Sequence, residues 1–526
     1  MQFLCKNSAS KNLQKHCKNR GAKNIITEEK ILEVEEKMRV TKAEKNLKTR
    51  EKLDIERRKE ICTERKTQSG ITLIALIVTI IVLLILAEVS IATLTGDNGI
   101  LTRAQGAKNK TEQATEEELR RLTAIEAASN FENKTITDTS MGNNIEVTIP
   151  AGFAVSQVDG ENSIEKGLVI IDSDGNEYVW IPVLEKSSTC TWGVDYGGNS
   201  VTISKDANGD EYTDLDYTNL TTALKEYTSN YSDTNYTDIW YGTADNLYGY
   251  YDSDGNINYY SNGNMSEEEY DELYKKTLRS IYKNGGFYVA RYEMGIGVAN
   301  SKEEAQNLTR TDMIEYVSTE TNENNTEPSI DGMSKPISKP NAVQYTFITQ
   351  SQGQMLAQSL NYTSVYSSLM FGVQRDIVSV FLEHFGKTIN GVQFDETYLN
   401  TSKSNLWGNY INASFKINRG FYRTMDSNSN FTSSWQDDLE QKDAGNIMAF
   451  TTGASEQNKA LNIYDWSGNL YEMTLETASF YGGWANPRVS RKGTLTWDDN
   501  SCNRSTDQTY RYSRIATSRI FIAIDN

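Results

Sequence analysis

Apolar and polar positions along this 526-residue chain fall into distinct regimes. From Ile71 to Ala87 there is no charge, and only Thr72 and Thr79 are polar. At 1.5 Å per residue that run nearly spans a bilayer core of about 30 Å, and Glu88 snorkelling with Val89 to Leu94 completes the crossing. A secretory h-region would be shorter, roughly 7 to 15 residues, with a small-residue cleavage site after it, and none follows Ala87. A core helix would carry a polar stripe every 3.6 residues, and none is seen before Glu88. The pattern therefore predicts a transmembrane helix over 71–94 in contact with membrane lipid.

Downstream the pattern changes twice. A turn at Asp97 to Gly99 leads into a polar helix with a sparse apolar stripe, Leu119, Leu122 and Ile125, read as a stalk over 95–144. The globular part is expected over 145–526. "LVIIDSDGNEYVWIPV", Leu168 to Val183, reads as a hairpin closed by Asp-Gly. The "DSDGN" of that turn recurs at Asp252 to Asn256, and its Gly comes fourth rather than sixth, which favours turns over calcium loops. The stretch 186–265 is poor in apolar residues, the composition of surface loops or an insertion. "SEEEYDELYKKTLRSIYKNGG" predicts a helix with Ser266 as N-cap, an acidic first turn and Gly285 after the stop. "FYVARYEMG" follows as a strand, and a second helical stretch is predicted from Ser351 to Phe385, interrupted near Asn361. The class is α+β, preceded by one long N-terminal helix.

Charge sets the orientation. Met1 to Ser69 holds 19 Lys and Arg against 11 Asp and Glu, a net of +8, so the remainder carries −26 of the total −18. Positive segments stay inside, which predicts a cytoplasmic leader over 1–70, with Met1 or Met38 as its start, and an extracellular C-terminal part. The acidic remainder argues against nucleic acid as a partner. The 30 Tyr and 8 Trp suit surfaces that meet proteins or glycans. Of five cysteines only Cys190 and Cys502 fall outside, bridged or free. With two histidines, a Ser-His-Asp triad would have to use His384.

"G-ITLIA" at Gly70 to Ala75 resembles the type IV prepilin signature, in which cleavage follows Gly and the helix begins "FTLIE". The resemblance implies processing between Gly70 and Ile71 by a prepilin peptidase, with pilus or secretion subunits as partners. It departs at Ala75, where the family has the Glu held to neutralise a neighbour's amino-terminus inside the membrane. Plain anchoring and a role as minor pilin or pseudopilin both stay open.

Four stretches in order resemble the formylglycine-generating enzyme, or sulfatase-modifying-factor, family: "GGFYVARYEMG" from Gly285, "SLMFGVQRDIVSVFL" from Ser368, "NIYDWSGNLYEMTLE" from Asn462, and "VSRKGTLTW…SRIATSRIFIAI" from Val489. The resemblance implies a variant of the C-type lectin fold over about 145–526. In the third stretch Asp465, the Gly468 and Leu470 carbonyls and Glu472 can converge on a hard cation, and family members bind calcium at the matching positions. The other reading is a turn whose carboxylates cap backbone N–H groups. The family's chemistry uses two cysteines five apart with copper between the thiolates. Here Cys502 is followed at that spacing by Asp507, so no copper and no activity of that kind are expected. Several proteins of this fold use the C-terminal segment as a diversified binding surface, and "TLTWDDNSCNRSTDQTYRYSRIAT" has a paratope-like mixture of aromatic and adaptable polar groups. Trp497, Asn503, Arg504, Tyr510 and Tyr512 are the expected ligand contacts, against solvated loop as the alternative. An adhesin-like surface protein is the function this predicts, with a structural pilin and an enzyme of the family as the other classes.

Overall fold

The computed structural model describes residues 79–84, 100–185 except 143, 193–195, 214–240, 249–251, 257–259, 265–308, 330–386 except 347 and 349, 399, 407–478 except 428 and 429, 488–491, 504–505 and 516–524. The chain divides into two units, Met1–Lys108 and Asn109–Asn526. Of the predicted membrane run only 79–84 is described; it is helical, and the apolar side chains of Ile80 to Leu84 are about half exposed. Among the described residues no helix is long and apolar enough to cross a membrane.

The elements that build the core of the second unit are α1 (Ile100–Ala128) from Asn109 onward, β1 (Lys134–Asp138), β2 (Ile145–Ile149), β3 (Phe153–Val155), β4 (Val169–Asp172), β5 (Glu177–Pro182), α2 (Asp214–Tyr227), β6 (Tyr236–Thr237), α3 (Glu267–Asn284) and β7 (Gly286–Ala290). They continue with α4 (Gln350–Gln358), β8 (Val365–Leu369), α5 (Gly372–Phe385), β9 (Tyr471–Ala478), β10 (Arg488–Arg491), β11 (Arg504–Ser505), β12 (Ala516–Ser518) and β13 (Ile520–Ile524). The architecture is mixed α+β. A six-stranded sheet runs β8-β13-β7-β5-β4-β3, antiparallel at every pairing. β13, at the C-terminal end of the described residues, is thus threaded between β7 and β8, a pairing of high sequence separation with β7.

Every residue of β4, β5, β7 and β13 is buried. That burial needs cover on both faces, and α3 packs on β7 and β13 while α5 packs on β5. The α3 helix forms as its sequence predicts. Ser266 Oγ accepts from the Glu269 amide, Glu269 returns the bond to the Ser266 amide, and Gly285 closes the helix in the left-handed region at φ 71°. Its buried positions Tyr270, Leu273, Leu278 and Ile281 recur at helical spacing, each contributing roughly 1.5–3 kcal/mol by leaving water. The Asp172 turn between β4 and β5 is a satisfied Asx turn: Asp172 Oδ1 accepts from the Asp174 and Asn176 amides at 2.9 and 2.7 Å, with Gly175 at φ 84°. The second "DSDGN" lies outside the described residues.

Three features differ from the hydrophobic pattern. The interruption near Asn361 contains a strand, β8, because "VYSSL" is short and gives no period of its own. The stretch 186–265 contains α2, whose Leu220 and Leu224 are buried in the main core; two apolar residues one turn apart suffice when α3 and α5 receive them. The helix read as a stalk docks by another face: Leu122 and Ile125 are 44% and 68% exposed, whereas Thr123 and Ala127 are sealed. β1, in the same stretch, pairs with β2.

Candidate functional site

The segment 461–469 is built from left-handed turns. Leu461, Asn462, Asp465, Gly468 and Asn469 all have φ between 46° and 69°, a conformation that Asn, Asp and Gly adopt at little cost and Leu does not. What holds it is a set of long-range bonds. The Asn462 amide donates to the carbonyls of Gly160, Lys166 and Gly167 at 2.9, 3.0 and 2.8 Å. The Leu461 carbonyl presses so close to Gly167 that a Cβ there would lie 1.9 Å from it. Asp465 Oδ2 accepts from the Gly453 amide at 2.8 Å, and Asn469 spans Asn409 at 3.0 Å and Glu293 at 2.7 Å. One backbone run therefore ties three loops to the sheet.

Glu472, at the start of β9, lies between two guanidiniums. Arg375 of α5 donates Nη1 to Glu472 Oε2, and Arg519 donates Nε to Oε1 at 2.8 Å; all three side chains are fully buried. Further donors of both guanidiniums are placed as well. Arg375 Nη2 reaches the Trp466 carbonyl at 3.0 Å, and Arg519 reaches the carbonyls of Ala290, Arg291 and Tyr464 at 2.8 to 3.1 Å. The Trp466 ring sits against both cations, 3.7 Å from Arg375 Cζ and 5.5 Å from Arg519 Cζ. Both oxygens of Glu472 thus accept from arginine, and Asp465 accepts from a backbone amide.

A second charged cluster anchors the C-terminal segment. β9 carries β10 on one side and the parallel strand β12 on the other, and β11 pairs with β10. Arg504, in β11, pairs with Asp376 Oδ2 at 2.8 Å and with Glu476 Oε1 at 2.9 Å, and donates to the Tyr231 carbonyl at 2.8 Å. Its side chain is 7% exposed, so of the expected ligand contacts Arg504 is found with its guanidinium already paired to carboxylates of the protein. Asp238 completes the cluster, accepting from the Gly372 and Val373 amides at 2.6 and 2.9 Å at the N-terminus of α5. Burial first, then the like charge of Glu476, pushes its pKa up to about 7 against the pull of those two amides.

Trp497, Asn503, Tyr510, Tyr512, Cys190, Cys502, Gly70 and Ile71 lie outside the described residues. His384 sits exposed in the last turn of α5. Among the described residues, no group of three or more His, Cys, Asp or Glu side chains is placed to hold a metal ion. Arg375 and Arg519, which organise the centre, were not singled out from the pattern. The available signal is a charge set inside an apolar run, as in "GVQRDIVSVF" and "RIFIAI".

No protein-family model matches the chain, and no curated protein matches it. Among solved structures, one described as the crystal structure of CarF aligns over 46% of this chain and 87% of its own length, with a TM-score of 0.26 and 11% sequence identity. A likeness that low carries no conclusion about fold or function.

Proposed function

We propose that the chain is a single-pass, membrane-anchored surface protein whose C-terminal domain, of the formylglycine-generating-enzyme and C-type lectin kind, binds an external protein or glycan without catalysis. The observation that carries the reading is the anchoring of the C-terminal segment. Arg504 fixes β11 by buried ion pairs, and β10 and β12 are hydrogen-bonded along β9. The stretches 492–503 and 506–515, whose sequence includes Trp497, Asn503, Tyr510 and Tyr512, are therefore flanked at both ends by paired strands. A binding surface is economical in that form, because loop residues presented from an ordered frame lose less conformational entropy on binding.

Replacement of Trp497, Tyr510 and Tyr512 together by Ala, in the full chain, tests this on glycan and protein arrays. Ligands captured by the wild type are expected to be lost while thermal stability stays within error. Retention of all captured ligands overturns the assignment. The pilin reading is separated by mass spectrometry of the native membrane form: a chain beginning at Ile71 would favour a fibre subunit, and an intact leader a plain anchor. Copper uptake by the purified protein would favour an enzyme.

A further inference from the structure

Buried arginines among the described residues face carboxylates, with one exception. Arg120 and Arg291 meet Glu161 and Glu177, Arg375 and Arg519 meet Glu472, and Arg504 meets Asp376 and Glu476. Among the described residues Arg423 is the exception. It lies in the strand Tyr422–Thr424, which pairs with Met448–Phe450 on one side and meets the arm 431–436 on the other, through bridges of Tyr422 with Gln436 and of Met425 with Phe431. Only 6% of the residue is exposed. Its Nε is sealed from solvent without an acceptor, and the guanidinium makes no ion pair among the described residues.

What surrounds the charge is aromatic. The Phe431 ring centroid is 3.1 Å from Arg423 Cζ, and that of Trp435, itself 3% exposed, is 4.8 Å away. Two cation–π contacts offset only part of the cost of removing an unpaired ion from water. Burial alone accordingly pushes the Arg423 pKa down to about 9. A methionine of similar reach would fill the same space at no such cost. A local arrangement that sacrifices stability in this way marks a place where something else is recognised.

We propose that Arg423 is the anchor of an anion-recognition site, which takes a carboxylate of a ligand. The two rings supply no hydrogen-bond acceptor to the guanidinium's N–H edge. That edge offers parallel donors at the spacing of two carboxylate oxygens, the bidentate pairing in which Arg surpasses Lys. Because Nε is sealed, the exposed part of the side chain lies elsewhere, and the terminal nitrogens are the donors able to meet the oxyanion. The site draws on none of the residues of the 488–518 segment, so it stands or falls independently of the proposal above.

The test is a thermal-shift titration of the purified full chain with sodium acetate, inorganic phosphate and sodium chloride at constant ionic strength. Acetate is expected to raise the melting temperature saturably and chloride not to. Arg423→Met is expected to melt higher than the wild type without added anion and to show no acetate response, while Arg423→Lys keeps a weakened one. Equal responses to acetate and chloride, a response to phosphate alone, or an undiminished acetate response in Arg423→Met would each overturn the proposal. Should Arg423→Met not fold, absence of a saturable acetate response in the wild type decides against it by itself.

Discussion

Removing the carboxylate of Glu472 while leaving both arginines should be among the most damaging single changes in the core. Glu472, Arg375 and Arg519 are all fully buried, so Glu472→Ala leaves two guanidiniums facing each other across a cavity with no counter-charge. Breaking a buried pair from one side costs about 3–5 kcal/mol, a large part of a typical total of about 5–15 kcal/mol. The carbonyls of Trp466, Ala290, Arg291 and Tyr464 still accept from the two cations, which keeps the expected loss inside that range rather than doubling it. Urea unfolding followed by tryptophan fluorescence is the assay, with Trp466 a local reporter because its ring lies 3.7 Å from Arg375 Cζ. Replacing all three residues together by Leu, Met and Met should recover most of the loss, since an apolar trio requires no desolvation of charge. A cost for Glu472→Ala below about 1 kcal/mol would refute the reasoning. Excess calcium bears on the same residue: with both Glu472 oxygens engaged by arginine, no shift of the wild-type midpoint is expected, and a shift abolished by Glu472→Gln would support a cation at Asp465 and Glu472.

Asp238 gives a pH dependence. Its folded pKa of about 7 stands above the ordinary value of 3.8, so its contribution to stability is fully present below about pH 4 and is lost as pH rises through about 7. At roughly 1.4 kcal/mol per pKa unit that amounts to a few kcal/mol at most, and Asp238→Asn should flatten the melting temperature between those limits. Gly167→Ala combines a φ of 87° with a Cβ 1.9 Å from the Leu461 carbonyl; about 2–5 kcal/mol of destabilisation is expected from chain strain and overpacking, read by the same urea assay. Arg504→Met should leave Asp376 and Glu476 without their shared cation, costing about 3–5 kcal/mol, and weaken any ligand binding through 492–515 by releasing β11.

Local chemistry was legible where a short run of residues decides the outcome. Ser266 with Glu269 and Gly285 fixes both ends of α3, and Asp172 with Gly175 fixes the β4–β5 turn, because each bond there closes within four residues. What could not be read depends on partners far along the chain. β8 is a strand because β13 arrives beside it from the C-terminus, with Leu369 opposite Ile520. α2 is helical in a polar stretch because α3 and α5 bury Leu220 and Leu224. The same distinction governs the charges. A guanidinium in an apolar run announces that it is buried, yet only the fold shows that Arg504 meets Asp376, 128 positions away, whereas Arg423 meets two rings and, among the described residues, no carboxylate. Position on the chain gave Arg504 the look of a contact residue and gave Arg423 none. Their electrostatic surroundings differ in the opposite sense, since a cation already neutralised inside the protein has less left to offer a ligand than one left unneutralised, which is the ground of the proposal for Arg423.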